Sequence, residues 1–274
     1  MFMTIFCVIS AALSVLWCVL EGGWLWRLPV SFVGLFLAQF LLVFGITWVL
    51  TLFIDLEKEQ QEDSKFHRWL VTQLIRLLIP FLGVRLHTKG LENTPREGRF
   101  LLVCNHLFDF DPPLLLHFFP KSQLAFISKR ENSTMFLVGK LMHKLLCQLI
   151  NRENDREALR TIIKCIQILK EDKASIAVFP EGYTSRDHKF HGFRSGVFKI
   201  AQKAQVPIVV CTLQGTEDVI RNLKKLKPLP KVKFHLLEVI PAEELEGKTT
   251  VEIAQRVRAL MLSDLGEKYQ PISE

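Results

Sequence analysis

The sequence predicts an α/β domain, a mixed, mostly parallel sheet with helices on both faces, preceded by an N-terminal membrane hairpin of two helices. Three observations support this prediction. Two long uncharged stretches occupy the first 54 residues, short apolar runs alternate with helix-length segments after residue 83, and two of those runs end in polar turns. We therefore divide the chain into a hairpin (1–54), a charged spacer with an amphipathic helix (55–82) and an α/β domain (83–274).

The hairpin prediction rests on residues 1–20 and 28–54, neither of which contains a charged side chain. At about 1.5 Å per residue, each stretch can cross a hydrocarbon core of about 30 Å. Trp24 and Trp26 lie in the short connection and suit a membrane interface. Residues 1–20 lack the basic start of a secretory signal, so we expect the hairpin to stay attached. Whether it spans the bilayer or re-enters one leaflet stays open.

The net charge of +7 favours an anionic partner, such as a membrane surface, a phosphate-bearing substrate or a nucleic acid. Most basic residues follow the hairpin, so we expect membrane localisation with the α/β domain on the cytoplasmic side. The six cysteines form no C-x-x-C pair, and most lie in apolar runs. This is typical of buried thiols in a reducing compartment rather than of a zinc site or a disulfide framework.

The elements are predicted from apolar runs and helical periodicity. Residues 55–63 form a charged spacer, and apolar residues then recur at helical spacing from Phe66 to Phe81. Strands are predicted at 84–90, 100–104, 124–128, 148–151, 175–179, 206–213 and 232–239. Further helices are predicted at 112–119, 134–146, Asp155–Lys170, 195–204 and 250–265.

A polar turn follows the apolar run 100–104 and carries Asn105 and His106. A turn at the end of a buried strand is where α/β proteins place reacting groups. Asp111, five residues after His106, could orient the imidazole so that its other ring nitrogen takes a proton as a general base. Two alternatives stay open, because Asp111 could only cap the following helix and Asp109 is a rival carboxylate.

A second polar turn follows the apolar run 175–179 and contains Glu181, Gly182 and Arg186. Arg152 follows another short strand in the same way. Arginines at strand ends near a candidate base suit a phosphate better than a metal ion, and the sequence contains neither an H-E-x-x-H nor a G-x-x-x-x-G-K-[ST] motif. The alternative is that Glu181 and Arg186 form an ordinary salt bridge within the loop.

Residues 105–111 (NHLFDFD) resemble the N-H-x4-D block of the glycerolipid acyltransferases. This family includes the lysophosphatidate (1-acylglycerol-3-phosphate) acyltransferases and their glycerol-3-phosphate relatives. Residues 179–182 resemble its F-P-E-G block, 149–152 the block that ends in I-D-R, and 206–209 the V-P-I-V block. Residues 129–131 stand where the family has Lys-x-Glu. The blocks occur in the family's order.

The resemblance implies acyl transfer from acyl-CoA or acyl-carrier protein, as co-substrate, to the sn-2 hydroxyl of 1-acylglycerol-3-phosphate, giving phosphatidic acid. It also implies that His106 takes the hydroxyl proton and that Asp111 holds His106. We expect no metal and no other cofactor, because a thioester is already activated. The candidate substrate-binding residues are Asn105, Lys129, Arg152, Glu181, Gly182, Ser185 and Arg186.

Two departures from the family pattern affect the acceptor rather than the reaction. Residues 183–185 (Tyr-Thr-Ser) stand where the family has Thr-Arg-Ser, which displaces the arginine to Arg186, and Asn151 replaces an aspartate. The acceptor could therefore be another lysophospholipid or glycerol-3-phosphate. A non-catalytic, membrane-attached lipid-binding protein on the same scaffold is the other alternative. The basic segment 221–233 contains no aromatic residue for stacking, so we expect no nucleic-acid partner and interpret it as a surface for anionic lipid or a solvated loop.

Overall fold

A seven-stranded sheet forms the centre of the α/β domain. The computed structural model describes residues 2–21, 26–185, 187, 189–225, 227–228 and 231–270. The strands in this part of the chain are β1 (Arg85–Lys89), β2 (Leu101–Val103), β3 (Leu124–Lys129), β4 (Gln148–Ile150), β5 (Ser175–Val178), β6 (Ile208–Gln214) and β7 (Lys231–Ile240).

The strands lie in the order β1-β7-β6-β2-β5-β3-β4. Every neighbouring pair is parallel except β6 and β7, which are antiparallel. The predicted mixed, mostly parallel sheet is thereby confirmed. The carboxyl ends of β2 to β6 share one edge of the sheet with the amino ends of β1 and β7, and we call this the carboxyl edge.

The described residues form nine α-helices. They are α1 (Phe2–Leu20), α2 (Arg27–Leu52), α3 (Lys65–Phe81), α4 (Asp111–Phe118), α5 (Val138–Lys144), α6 (Asp155–Lys170), α7 (Lys199–Ala204), α8 (Asp218–Lys224) and α9 (Thr250–Asp264). Short 3₁₀ helices occur at Leu91–Asn93, Arg130–Thr134, Ser195–Phe198, Ala242–Leu245 and Glu267–Tyr269.

Helices cover both faces of the sheet because neighbouring residues of a strand point to opposite sides. In β2, Leu101 and Val103 pack on the side of α6, α7 and α9, whereas Leu102 packs on the side of α3, α4 and α8. All three side chains are fully buried. The apolar run is therefore a strand covered on both faces, as is usual in parallel sheets.

Two stretches differ from the sequence prediction. Residues 134–146, predicted as one helix, are divided, because Leu137 has φ +63° and α5 begins only at Val138. The basic segment 221–233 is not a loop throughout, since α8 and β7 occupy its two ends. A helix as short as α8 shows little periodicity, and its basic residues concealed it in the sequence.

The hairpin helices α1 and α2 pack against each other, and α2 also contacts α3. Gln39 of α2 donates from Nε2 to Ser10 Oγ of α1 (2.7 Å). Phe40 of α2 stacks on Phe81 of α3 with ring centroids 4.7 Å apart. Many other side chains of both helices are apolar and exposed, and both helices are long and apolar enough to cross a membrane. Residues 22–25 of the predicted connection, Trp24 among them, lie outside the described residues, and Trp26 is exposed.

Candidate active site

A polar turn follows β2 at the carboxyl edge, and the buried Asn105 fixes the start of that turn. Its Nδ2 donates to the Leu213 carbonyl (2.9 Å), and its Oδ1 accepts from the Leu213 N–H (2.8 Å). The side-chain amide thus imitates strand pairing and ties the turn to β6. These bonds give Asn105 a positioning role, and its predicted substrate contact stays a prediction.

His106 and Asp111 form a hydrogen-bonded pair within the turn. His106 Nδ1 lies 3.0 Å from Asp111 Oδ2. Because a carboxylate oxygen only accepts, Nδ1 carries the proton, and Nε2 of the neutral ring is left to accept another. The imidazole also stacks on Phe179, just after β5, with ring centroids 4.1 Å apart. The ring is therefore fixed by contacts on one edge and one face.

The Asp111 carboxylate is fully buried and folded back on its own turn. Its Oδ2 also accepts the N–H of Leu107 (2.7 Å) and the N–H of Phe108 (2.8 Å). A capping side chain would instead accept from N–H groups further along the helix. α4 begins at Asp111 itself, with Phe110 as the N-cap residue. The interpretation of Asp111 as only a helix cap is therefore wrong.

The second ring nitrogen of His106 faces a hydroxyl group. Thr184 Oγ1 lies 3.0 Å from His106 Nε2 and 3.2 Å from Asp109 Oδ1. The hydroxyl has one hydrogen, so it can donate either to Nε2 or to Asp109. Asp109, the rival carboxylate, is exposed and contacts Thr184, while Asp111 holds the imidazole. The Thr184 oxygen marks a position from which a hydroxyl can pass its proton to the ring.

Glu181 ties the two polar turns together. Its Oε1 accepts the His106 N–H (3.0 Å), and its Oε2 accepts the His191 N–H (3.1 Å). Burial raises the pKa of the Glu181 carboxyl to about 7, against the lowering effect of these two donors. Both oxygens face the backbone, so Glu181 supports the His106 turn. Its predicted contact with the acceptor stays a prediction.

An arginine that the sequence analysis did not single out lies over Gly182. Gly182 has φ +83°, and a Cβ at this position would stand 2.8 Å from Arg194 Nε. Glycine is suited to both the positive φ and the close approach. The Arg194 N–H donates to the Pro180 carbonyl (2.8 Å), which anchors its backbone. No sequence spacing indicates this contact, because it depends on tertiary packing.

Arg152 follows β4 at the carboxyl edge and is close to Arg194. Burial, and then the positive charge of Arg194, lower the pKa of the Arg152 guanidinium, while the charge of Glu131 acts in the opposite direction. Among the residues that the structure describes, neither arginine forms an ion pair with a carboxylate. Two unpaired guanidinium groups near each other suit the binding of an anion.

The remaining predicted site residues differ in their surroundings. Lys129 ends β3 at the carboxyl edge and is exposed. Ser185 is buried, and its N–H donates to the His106 carbonyl (2.9 Å). Its hydroxyl can donate either to Asp187 Oδ1 (2.8 Å) or to the Lys189 carbonyl (2.5 Å). Arg186 lies outside the described residues. Substrate contacts by Lys129, Ser185 and Arg186 therefore stay predictions.

Tyr269, late in the chain, forms a hydrogen bond with the loop that follows the second polar turn. The Tyr269 carbonyl accepts the Phe190 N–H (2.9 Å). The Tyr269 hydroxyl donates to Glu217 (2.9 Å) and accepts the Gly215 N–H (2.8 Å). Tyr269 thereby connects the loop to the end of β6.

Comparisons with known proteins match the part of the chain that forms this edge of the sheet. The stretch 85–214, which contains both polar turns, matches the protein family described as Acyltransferase. The resemblance inferred from the N-H-x4-D and F-P-E-G blocks is thereby confirmed, and the two turns are parts of an acyltransferase domain.

Curated relatives and a solved structure match the acyltransferase domain. The chain is 32% identical over 161 residues to a probable 1-acyl-sn-glycerol-3-phosphate acyltransferase of Mycoplasma pneumoniae, covering 57% of this chain and 59% of the relative. It is 28% identical over 198 residues to a 1-acyl-sn-glycerol-3-phosphate acyltransferase of Cocos nucifera, covering 72% and 63%. The match thus spans about three fifths of the length of these relatives.

A crystal structure of the 1-acyl-sn-glycerophosphate (LPA) acyltransferase PlsC from Thermotoga maritima has a similar fold. It superimposes with a TM-score of 0.59 at 22% identity, and the match covers 85% of this chain and 94% of PlsC. The acyltransferase domain therefore shares the fold of that protein.

Proposed function

We propose that the acyltransferase domain moves a fatty acyl group from acyl-CoA or acyl-carrier protein to the sn-2 hydroxyl of 1-acylglycerol-3-phosphate, giving phosphatidic acid. The observation that carries the proposal is the His106–Asp111 pair, whose Nε2 faces a hydroxyl oxygen 3.0 Å away. The activity named for the relatives from M. pneumoniae and C. nucifera supports the choice of acceptor.

His106 is the general base in this proposal. The acceptor hydroxyl replaces the Thr184 hydroxyl at Nε2 and attacks the carbonyl carbon of the thioester, while its proton passes to Nε2. The carbon–sulfur bond then breaks, and the imidazolium gives the proton to the leaving thiolate. Asp111 keeps the first proton on Nδ1 and stabilises the imidazolium between the two steps.

Arg152 and Arg194 bind the phosphate of the acceptor in this proposal, together with Lys129 and Arg186. A guanidinium group pairs with phosphate through two parallel hydrogen bonds, and a phosphate between the two arginines offsets their mutual repulsion. Gly182 leaves the space that the Arg194 side chain occupies. The bound phosphate then holds the acceptor so that its free hydroxyl reaches His106.

The hairpin attaches the acyltransferase domain to the membrane that contains the acceptor, with the domain on the cytoplasmic side. Its two helices present long apolar surfaces that suit a bilayer. Attachment raises the concentration of acceptor near the site, because the acceptor is confined to the same surface.

A panel of acceptors tests the proposed function. The full chain, purified in detergent, is offered 1-acylglycerol-3-phosphate, glycerol-3-phosphate and headgroup-bearing lysophospholipids, each with acyl-CoA and with acyl-carrier protein. We expect phosphatidic acid from the first acceptor. The headgroup-bearing lysophospholipids should give little product, because a headgroup esterified to the phosphate would obstruct a site for a terminal phosphate, and glycerol-3-phosphate should give little because it lacks the acyl chain of the proposed acceptor. Product from another acceptor alone would replace the assigned substrate, and no transfer from either donor to any acceptor would overturn the activity.

A further inference from the structure

An apolar tip projects from the acyltransferase domain near the candidate active site. It consists of residues 135–138 (Met-Phe-Leu-Val), which follow a 3₁₀ helix and end at the first residue of α5. Phe136 is 73% exposed, and Met135 and Val138 are also exposed. The tip follows β3, whose carboxyl end lies at the carboxyl edge with His106. Clustered exposed apolar side chains of this kind mark a surface that contacts something other than water.

The backbone of the tip fixes the direction of Phe136. Leu137 has φ +63° and ψ −49°, and the Val138 N–H donates to the Phe136 carbonyl (2.6 Å), which forms a γ-turn of the strained, positive-φ type. Gly139 then packs so closely on the preceding 3₁₀ helix that a Cβ would overlap the Ser133 carbonyl oxygen. The outward position of Phe136 is therefore imposed by the fold of its neighbours.

The tip continues an apolar surface that begins on the hairpin. Trp48 of α2 lies beside Phe136, with ring centroids 6.4 Å apart. Lys140 Nζ, one turn after the tip, donates to the Thr51 carbonyl near the end of α2 (2.9 Å). Phe53, just beyond α2, is 83% exposed. The exposed apolar side of α2 and the tip are thus neighbours at the carboxyl edge.

Positive charge flanks the tip. Residues 129–144 contain four lysine or arginine side chains and one acidic residue, Glu131. Lys129 and Arg130 are exposed. Basic residues around an exposed apolar cluster match a lipid surface, since the charges meet anionic headgroups and the apolar side chains enter the acyl layer. This charge pattern, together with the contact to α2, favours lipid over a second protein.

We propose that the tip inserts into the anionic lipid surface that holds the hairpin, so that the acyltransferase domain rests in the membrane with its carboxyl edge toward the lipid. The purpose that we give to this contact rests on the proposed function, because the contact would bring His106 close to an acceptor in the membrane. The contact between tip and lipid is itself independent of any enzymatic activity.

Photo-crosslinking tests the contact directly. The full chain is placed in vesicles of phosphatidylcholine and phosphatidylglycerol, with Phe136→p-benzoylphenylalanine as the reporter, which keeps an aromatic side chain at an exposed position. The matched control is Val251→p-benzoylphenylalanine, because Val251 is 52% exposed at the start of α9, which follows the opposite end of β7. We expect lipid adducts at position 136 after illumination, detected by mass spectrometry, and none at position 251.

The crosslinking result decides the proposal whether or not acyl transfer is observed. Adducts to protein rather than lipid at position 136 would assign the tip to a protein partner. No adduct at position 136, or equal lipid adducts at both positions, would also overturn the proposal. A chain that lacks acyl transfer but forms lipid adducts at position 136 would leave this inference standing and remove only the proposed function.

Activity provides a second readout. Phe136→Ser should lower acyl transfer to a vesicle-borne acceptor by about tenfold, as expected when one large apolar side chain loses its burial. Transfer to a water-soluble, short-chain acceptor should be unchanged, and Val251→Ser should change neither rate. Equal losses with both acceptors would show that Phe136 acts within the protein and would overturn the proposal.

Discussion

Two histidine–aspartate pairs of this chain have nearly the same hydrogen bond in different surroundings. His106 Nδ1 lies 3.0 Å from Asp111, and His235 Nδ1 lies 2.8 Å from Asp264. In both pairs the carboxylate holds the same ring nitrogen. The hydrogen-bond distance alone therefore does not identify a general base.

The two pairs differ in their place in the fold. His235 lies within β7, directly opposite Thr212 of β6. Asp264, at the end of α9, also accepts from Thr212 Oγ1 (2.5 Å) and from Gln214 Nε2 (3.3 Å), so its carboxylate joins a helix to two strands. Asp111 Oδ2 instead accepts from its own turn, and the other nitrogen of its histidine faces the candidate site. The position of the second nitrogen is what distinguishes a base from a structural link.

The largest expected effect separates the two pairs by activity. His106→Ala should lower kcat for acyl transfer by about 10²-fold to 10⁴-fold, the usual contribution of a positioned general base. His235→Ala should leave kcat close to that of the unchanged chain. The measurement is acyl transfer at neutral pH by variants that unfold cooperatively. If His106→Ala remained active, the enzymatic role of the first pair would be lost.

Asp111→Asn extends this test to the carboxylate. The asparagine oxygen can accept the same three hydrogen bonds, so the fold and the Nδ1–H tautomer are retained while the negative charge is lost. We expect a large fall in kcat, and the double variant with His106→Ala should be little worse than His106→Ala, because the pair acts as a unit. Asp109→Asn is the control and should stay active. Loss of activity in Asp109→Asn, with activity retained in Asp111→Asn, would identify Asp109 as the orienting carboxylate.

A pH-dependent measurement sharpens the comparison, because Glu181 supports the His106 turn. Burial raises the pKa of the Glu181 carboxyl from 4.5 to about 7, because burial disfavours its charged form. The stability that goes with the neutral carboxyl is therefore fully present below pH 4.5 and is lost as the pH rises through about 7. The shift corresponds to about 3 kcal/mol at most. The free energy of unfolding of the unchanged chain, minus that of Glu181→Gln, should therefore fall between about pH 5 and pH 8. A constant difference would contradict the assignment.

The arginines near the first pair give a smaller expected effect. Arg152→Ala and Arg194→Ala should each raise the KM for the acceptor by about tenfold to a hundredfold, which corresponds to a charge-assisted contact of about 1.5–3 kcal/mol. The KM for the donor should change little. Arg160→Ala is the matched control, because Arg160 is exposed on α6. An unchanged acceptor KM in both variants would remove the phosphate assignment.

The smallest expected effect concerns the second pair and is one of stability. Asp264→Ala removes the shared acceptor of His235, Thr212 and Gln214. It should lower the free energy of unfolding by about 1–2 kcal/mol, because the buried Thr212 hydroxyl loses its partner while the half-buried His235 and Gln214 can turn to water. The melting temperature should fall by a few degrees, with kcat retained. Thermal unfolding and acyl transfer are measured on the same preparation. Loss of kcat at an unchanged melting temperature would place Asp264 in the active site.

The part of the fold that follows from local chemistry was predictable from the sequence. Continuous apolar runs located β2 and β5, and the polar residues directly after them located His106, Asp111 and Glu181. Each of these features depends on residues within one element and its turn, where alternation, apolar runs and turn chemistry are informative. At the start of α6, the Asn154 side chain accepts the N–H groups of Arg156 and Glu157, which is the local chemistry of a helix cap.

Features that depend on distant partners were not predictable in the same way. The antiparallel pairing of β6 and β7 and the approach of Arg194 to Gly182 are set by tertiary packing. Leu137 interrupts a predicted helix because Gly139 must fit against Ser133, and such packing overrides local propensity. The direction of the Asp111 side chain also depends on its turn rather than on its place at the start of α4.

Tyr269 connects the loop after the second polar turn to β6, so the candidate active site is completed only after this late residue has been synthesised. Translation proceeds from the amino end, so the ribosome produces α1 and α2 long before it produces Tyr269. The helices of the hairpin are therefore available to a membrane while the loop that contains Phe190 still lacks its last support. A nascent chain passes through a stage in which the apolar hairpin exists and the candidate active site is still unfinished.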